Sequence, residues 1–220
     1  EPQVPTYTVN SDTDAADANP GDGVCATVGG NCTLHAAIQE ANLDSGASTI
    51  IFASHMDINY PSLPALTQDG TLIDGSDQWD TGWDRPGVKI GGGAYHNGLL
   101  VIQADSCIVQ GIEFSGGQSV GIHIDGGSYN QIGGSGAGQR NVFTVGTPNG
   151  TGVWINGASI LNTITGNYFG TWDGTTAIAN YRGLFIQSSG QTIENNLIVG
   201  ATDVGIELWA GDCTVRDNII

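Results

Sequence analysis

Positive charge is almost missing from this sequence. Lys89, Arg85, Arg140, Arg182 and Arg216 stand against 22 Asp and Glu, and the formal net charge is −17. Such a surface repels nucleic acid and anionic membranes, which excludes those partners, and it favours cations, neutral glycans or basic partners. Long apolar runs are missing as well. None approaches the roughly 20 residues that cross a bilayer, so no membrane insertion through a helix is expected. The chain opens on the polar Glu1-Pro2-Gln3, so an exported form is expected to have lost its signal peptide already. Charged residues are only 12% of the chain, yet 39% is hydrophobic, too much for a disordered segment.

What is abundant is glycine, 35 residues in 220, with no collagen-like period. Glycine here marks many turns. From residue 98 the pattern glycine, apolar, any, apolar recurs as Gly98-Leu99-Leu100-Val101, Gly121-Ile122-His123-Ile124, Gly152-Val153-Trp154-Ile155, Gly183-Leu184-Phe185-Ile186 and Gly205-Ile206-Glu207-Leu208, its glycines 23, 31, 31 and 22 residues apart. Each unit has a second apolar position, at Val109, Ile132, Ile164, Ile193 and Val215, and a third, at Phe114, Phe143, Phe169, Ile198 and Ile220. Taking about seven residues out of each long unit, at 134–140 and 171–181, restores a uniform period.

Three short strands per period imply an all-β fold, a right-handed parallel β-helix in which each coil buries its inward side chains by stacking on its neighbours. The alignment also stacks Asn141, Asn167, Asn196 and Asn218 before the third strand, a structural column of amides. Cys107 and Cys213 fall in one column with Asn162 and Gln191 between them. Four strand spacings, roughly 19 Å, keep those two thiols apart and free. Cys25 and Cys32 flank a short glycine-containing segment, and a disulfide is the first choice for them, with export to an oxidising compartment; a metal site would need more ligands than this stretch provides.

Upstream, 6–9, 49–52 and 71–73 read as strands, and 34–42 as a helix with Leu34, Ala37, Ile38 and Ala41 on one face. Laid over the first coil, that helix would cap the open core. The expected division is a cap over 1–60 and coils over 61–220 that continue beyond residue 220 or pack end to end on another copy.

The stretches Tyr7-Thr8-Val9-Asn10, Asp22-Gly23-Val24-Cys25 and Cys32-Thr33-Leu34-His35-Ala36-Ala37-Ile38-Gln39-Glu40-Ala41-Asn42 resemble the N-terminal CSLREA domain, which precedes parallel β-helix repeats in secreted or surface bacterial proteins. The likeness extends through Leu63-Pro64-Ala65-Leu66 and Thr71-Leu72-Ile73-Asp74-Gly75 to Gln131-Ile132-Gly133-Gly134 and Gly166-Asn167-Tyr168-Phe169-Gly170-Thr171. His35-Ala36 replaces the Arg-Glu pair of that family. The resemblance implies an extracellular or cell-surface place and adhesion, and it fixes no reaction.

Outward positions of the first strand form two columns: Leu100, His123, Trp154, Phe185, Glu207 and Ile102, Asp125, Asn156, Gln187, Trp209. Trp154, Phe185 and Trp209, with His123, Asp125 and Glu207 beside them, fit a sugar-stacking platform or a protein interface; cover by a loop or a subunit is the plainer reading. Asp12, Asp14, Asp17, Asn19 and Asp22 offer oxygen ligands to calcium without EF-hand spacing, and a solvated acidic loop explains them as well. No other cofactor is implied. His35, His55, His96 and His123 show no metal spacing.

Asp74, Asp77, Asp80 and Asp84 interleave with Trp79, Trp83 and Arg85 in the densest polar and aromatic stretch. Pectinolytic enzymes of the β-helix fold gather Asp, His, Lys and Arg on one outward face. The only lysine, Lys89, and the scattered arginines show no such set. The expected function is therefore a non-catalytic module binding a glycan or a surface protein; the alternatives are a polysaccharide lyase or glycoside hydrolase on the same scaffold and a building block of an extracellular fibre.

Overall fold

The computed structural model describes residues 4–59, 63–92, 97–116, 120–136, 138–146 and 148–220. Glu1-Pro2-Gln3 and His96 lie outside them. Strands dominate, and they assemble into three parallel sheets and one short antiparallel pair, with one α-helix, Leu34–Ala41, among the described residues.

The first sheet has eight strands in the order Thr6–Val9, Thr49–Phe52, Leu72–Asp74, Ile108–Gln110, Gln131–Gly133, Thr163–Thr165, Thr192–Glu194 and Thr214–Arg216. The second has six: Met56–Asn59, Val88–Gly91, Ile112–Ser115, Val142–Thr144, Tyr168–Phe169 and Leu197–Ile198. The third has five: Leu100–Ile102, Val120–Asp125, Thr151–Asn156, Asn180–Ile186 and Ala201–Leu208. From residue 100 onward the chain visits third, first and second sheet in unbroken rotation, and every strand after Leu100–Ile102, which opens the third sheet, pairs with the one laid down a round earlier.

Alternation puts one residue in two of each strand into a shared core. In the first sheet Ile50, Ile73, Val109, Ile132, Ile164 and Ile193 stand in register. In the second, Ile58, Ile90, Phe114, Phe143, Phe169 and Ile198 do the same. All of them are buried in one continuous cluster. The three phenylalanine rings stack at 5.2 and 4.7 Å. Each such side chain contributes about 1.5–3 kcal/mol by leaving water.

The recurring glycine has a steric cause: a Cβ on Gly152 would lie 2.5 Å from the Phe169 ring and 2.6 Å from the Gly183 carbonyl oxygen. Glycine thus lets the third sheet close on the phenylalanine column. The first unit departs from the pattern. Leu100 and Ile102 pair with Ile122 and Ile124 and are fully buried, so Val101, not Leu100, continues the His123 column. The outward assignment of Leu100 and Ile102 is therefore corrected by one residue.

Two amide columns bind the rounds together. Asn141, Asn167 and Asn196 accept from the backbone of the preceding round: Ile112 N–H donates to Asn141 Oδ1, Asn141 N–H to Asn167 Oδ1, Asn167 N–H to Asn196 Oδ1 and Asn196 N–H to Asn218 Oδ1, at 2.9–3.1 Å. Each amide Nδ2 donates back to a carbonyl, as Asn167 does to Ile132 at 2.9 Å. A second column runs from Cys107 N–H to Asn130, from Asn130 to Asn162 and from Asn162 to Gln191. Asn130 is the member missing from the sequence alignment.

The helix begins at Thr33, whose hydroxyl accepts from Ala36 N–H at 3.0 Å, and it lays Leu34, Ala37, Ile38 and Ala41 on the edge strand Thr6–Val9. Cys25 and Cys32 are joined in a disulfide with Cα atoms 5.0 Å apart, while Cys107 and Cys213 are free. At the opposite end Leu208, Val215, Ile219 and Ile220 are exposed.

Candidate functional site

Three places gather chemistry, and the outward face of the third sheet is the first. Parallel register sets His123 beside Trp154 and Trp154 beside Phe185, with Glu207 next in the column. His123 and Trp154 stack at 4.2 Å with planes 2° apart, Trp154 and Phe185 at 6.1 Å, and Trp209 meets Phe185 edge-on at 5.0 Å. Because the rings stand on edge and cover one another, His123 is buried and Trp154 and Phe185 are half-buried. Only Trp209, 67% exposed, has an open face.

Polar partners lock the row. His123 Nε2 lies 3.1 Å from Asn156 Oδ1, Trp154 Nε1–H donates to Gln187 Oε1 at 2.8 Å, and Trp209 Nε1–H donates to Glu207 Oε1 at 2.7 Å. Arg182 sits 4.9 Å over Phe185 and pairs with Glu207 at 2.8 Å and Asp203 at 3.3 Å. Asp125 accepts from Gln103 Nε2 at 3.3 Å.

The second place is the acidic loop. Carboxylate oxygens of Asp17, Asp22 and Glu40 lie within 4.8 Å of one another, so the helix supplies a member absent from the sequence-based set. Asp14 turns instead to His35, 2.9 Å away, Asp12 lines a shallow hollow with Asn10 and Asn31, and Asn19 reaches Asp17 through its backbone. The carboxylates already serve the loop. Asp17 accepts from Asn19 and Ala26 N–H, Glu40 from Gly21 and Gly23 N–H, and Asp22 from Val24 N–H, all at 2.7–2.9 Å. They anchor the 17–26 loop to the helix and disulfide.

The third place draws Trp79, Asp80 and Arg85 from the Asp- and Trp-rich stretch of the sequence. Trp79–Asp80 and Arg85–Pro86 form an antiparallel hairpin over the second sheet. It is fastened by Trp79 against the Arg140 guanidinium, 5.0 Å away, which also lies 4.0 Å over Tyr168. Asp80 Oδ1 accepts from Gly82 and Trp83 N–H and so closes the hairpin turn. Between hairpin and sheet lies a groove of about 420 Å³ lined by His55, Asp57, Asp80, Arg85, Lys89 and Glu113. The hairpin and the sheet thus bring Asp, His, Lys and Arg side chains together around one groove.

Its members come from an outward row, because Asp57, Lys89 and Glu113 are cross-strand neighbours. Lys89 Nζ donates to Asp57 at 3.2 Å. Glu113 is only 7% exposed, and burial pushes its carboxyl above the ordinary range against the opposing pull of Arg85 and Lys89. Signals for the row were present: Ile58 and Ile90 share the phase of Phe114. Met56–Asn59 and Val88–Gly91 lack the preceding asparagine that marks the later strands of this sheet.

No family model matches the chain, and no curated protein matches it in sequence.

Proposed function

We propose that the chain is part of a secreted or cell-surface right-handed parallel β-helix, capped by a CSLREA-like N-terminal region, that binds a glycan without cleaving it. Rotation of successive strands through three parallel sheets supports the β-helix, and parallel crossovers are right-handed in about 98% of cases. The Cys25–Cys32 disulfide supports an oxidising compartment. The observation that carries the binding reading is the aromatic row from His123 to Trp209, rigid through stacking and open at Trp209.

A sugar ring stacks on the free indole face with Glu207 beside it to take a hydroxyl, and further units of the glycan run across the strands toward Asn156 and Asp125. Titrating neutral and acidic oligosaccharides into the protein and its Trp209→Ala variant tests this. The variant loses binding and keeps its fold; equal affinity of the two proteins would refute the platform. The groove under the 79–86 hairpin favours a second reading, carbohydrate cleavage, because it joins carboxyls to cations. New reducing or unsaturated ends from a polysaccharide would establish that reading over the first.

A further inference from the structure

From Leu72–Asp74 onward, each turn leading into the first sheet passes through one residue in left-handed backbone: Gly70, Ser106, Tyr129, Leu161, Gly190 and Asp212, with φ between +56° and +76°. These turns stack in a column. Gly70 N–H donates to the Asp105 carbonyl, Ser106 N–H to that of Ser128 and Tyr129 N–H to that of Ile160, at 2.8–3.1 Å. Glycine and aspartate suit such a backbone. Tyrosine and leucine do not, because the left-handed turn crowds Cβ against the following carbonyl. Yet Tyr129 and Leu161 hold two adjacent turns with their side chains in solvent, 55% and 51% exposed, and Ile160 is 44% exposed beside them.

Bulky apolar groups that are both strained and exposed do not serve the fold, and such positions cluster where a protein meets a partner. Charge says which partner. Asp69 and Asp105 stand in the turns on one side of this ridge and Asp212 in a turn on the other. Asp69 Oδ1 accepts from Asp105 N–H at 2.9 Å and Asp105 Oδ1 from Ser128 N–H at 2.7 Å, which fixes both carboxylates along the column. None of the five Lys and Arg side chains pairs with these three aspartates among the described residues. The steps from Asp69 to Asp212 span about 24 Å at the usual strand spacing, with the apolar ridge between them.

We propose that this ridge docks a cationic amphipathic segment of another protein, which lies along the turn column with apolar side chains on Tyr129, Ile160 and Leu161 and with Lys or Arg at its two ends facing Asp69, Asp105 and Asp212. A second copy of the chain is a poor occupant, since four of its five basic side chains already pair with its own carboxylates. Anionic membranes and nucleic acid are repelled by the net charge of −17. The ridge is separate from the aromatic row of the third sheet and from the groove under the hairpin, and the proposal holds whether or not either of those takes a glycan.

The test is fluorescence anisotropy of labelled peptides of about ten residues, long enough to span the column when extended, titrated with the whole protein at neutral pH. One peptide has lysines at both ends and leucines alternating with serines between; a second has glutamates at the ends; a third has serines in place of the leucines. The first binds, less tightly as salt rises, and the other two bind roughly tenfold or more weakly. Tyr129→Asn and Leu161→Asn each lose roughly tenfold for the first peptide while keeping or raising the thermal midpoint, because asparagine suits the left-handed turn. Asp69→Asn combined with Asp212→Asn keeps the turns, loses roughly threefold and flattens the salt dependence. Trp83→Ala, which removes an exposed ring elsewhere, leaves binding unchanged.

Failure of the lysine-ended peptide to bind would overturn the proposal, as would wild-type affinity in Tyr129→Asn and Leu161→Asn or equal affinity for the serine peptide, which would reduce the effect to charge alone. A fall in thermal midpoint in both asparagine variants would show that the side chains serve the fold, and would equally end it. Sedimentation of the protein alone gives the remaining outcome: a dimer that Leu161→Asn dissociates would assign the ridge to a second copy and overturn the cationic partner.

Discussion

Trp154 and Trp209 lie on one face of one sheet and answer the same substitution differently. Trp154 is clamped between His123 and Phe185 and donates to Gln187, so its replacement by alanine removes two ring contacts and leaves a gap in a half-buried row. A loss of about 2–3 kcal/mol is expected, read from urea denaturation. Trp209 has one edge contact and is largely exposed. Trp209→Ala should cost less than about 1 kcal/mol, which makes it the cleaner probe of ligand binding. Cysteines sort by environment in the same way. Denatured, unreduced protein should show two reactive thiols, those of Cys107 and Cys213. In the native state Cys107 should label far more slowly than Cys213, because it is buried and its thiol is pushed up to about 11 by burial.

At the scale of elements, the amide columns make the strongest demand on sequence. Asn167 donates to Ile132 and Thr165 carbonyls and accepts from Asn141, all within the interior. Asn167→Ala leaves those backbone groups without partners and should cost about 2–4 kcal/mol, whereas Thr33→Ala at the helix N-cap should cost about 1 kcal/mol. Denaturation midpoints of the two variants give the comparison.

Glu113 adds a pH term to the second sheet. Its carboxyl titrates above the usual value in the folded protein, so the folded state holds the proton more tightly than the unfolded chain does. That contribution is complete below the ordinary glutamate value near about pH 4.3 and disappears as pH rises through the folded value. Glu113→Gln should therefore lose less stability than wild type between about pH 4 and 7, followed by urea midpoints at each pH.

Elements also differed in how plainly they could be read. Strands of the later rounds announced themselves because glycine, the alternating apolar pair and the asparagine recur together, the asparagine required by hydrogen bonds to the round before and the glycine by the close approach of the round after. Val88–Gly91 and Met56–Asn59 follow Gly87 and His55 in place of the asparagine that precedes the later strands of their sheet. Leu99 occupies the glycine position of the Leu100–Ile102 strand, which is why alignment on Gly98 slipped by one residue.

Across the whole molecule, the rotation through three sheets puts residues far apart in sequence into straight rows. The aromatic row was legible because its residues follow repeated glycines at a fixed interval. The groove was not, since it depends on a hairpin folding back over a sheet, and it draws on residues from 55 to 113 that share no motif. The same holds for the acidic loop, where Glu40 joins Asp17 and Asp22 only because the helix packs beside the disulfide loop. Charge follows this architecture: of five basic side chains, three pair across neighbouring strands of the sheets and one fastens the hairpin, so the strong negative field remains over most of the surface.

Glycan binding without cleavage at the third sheet is the central claim. Its most direct test is affinity electrophoresis of wild type and Trp209→Ala through gels holding a panel of neutral and acidic polysaccharides, with polymer length measured afterwards. At least one polysaccharide should retard the wild type and release Trp209→Ala, with its chains uncut. Equal mobility of the two proteins in every gel, or shortened polymer, would contradict the account.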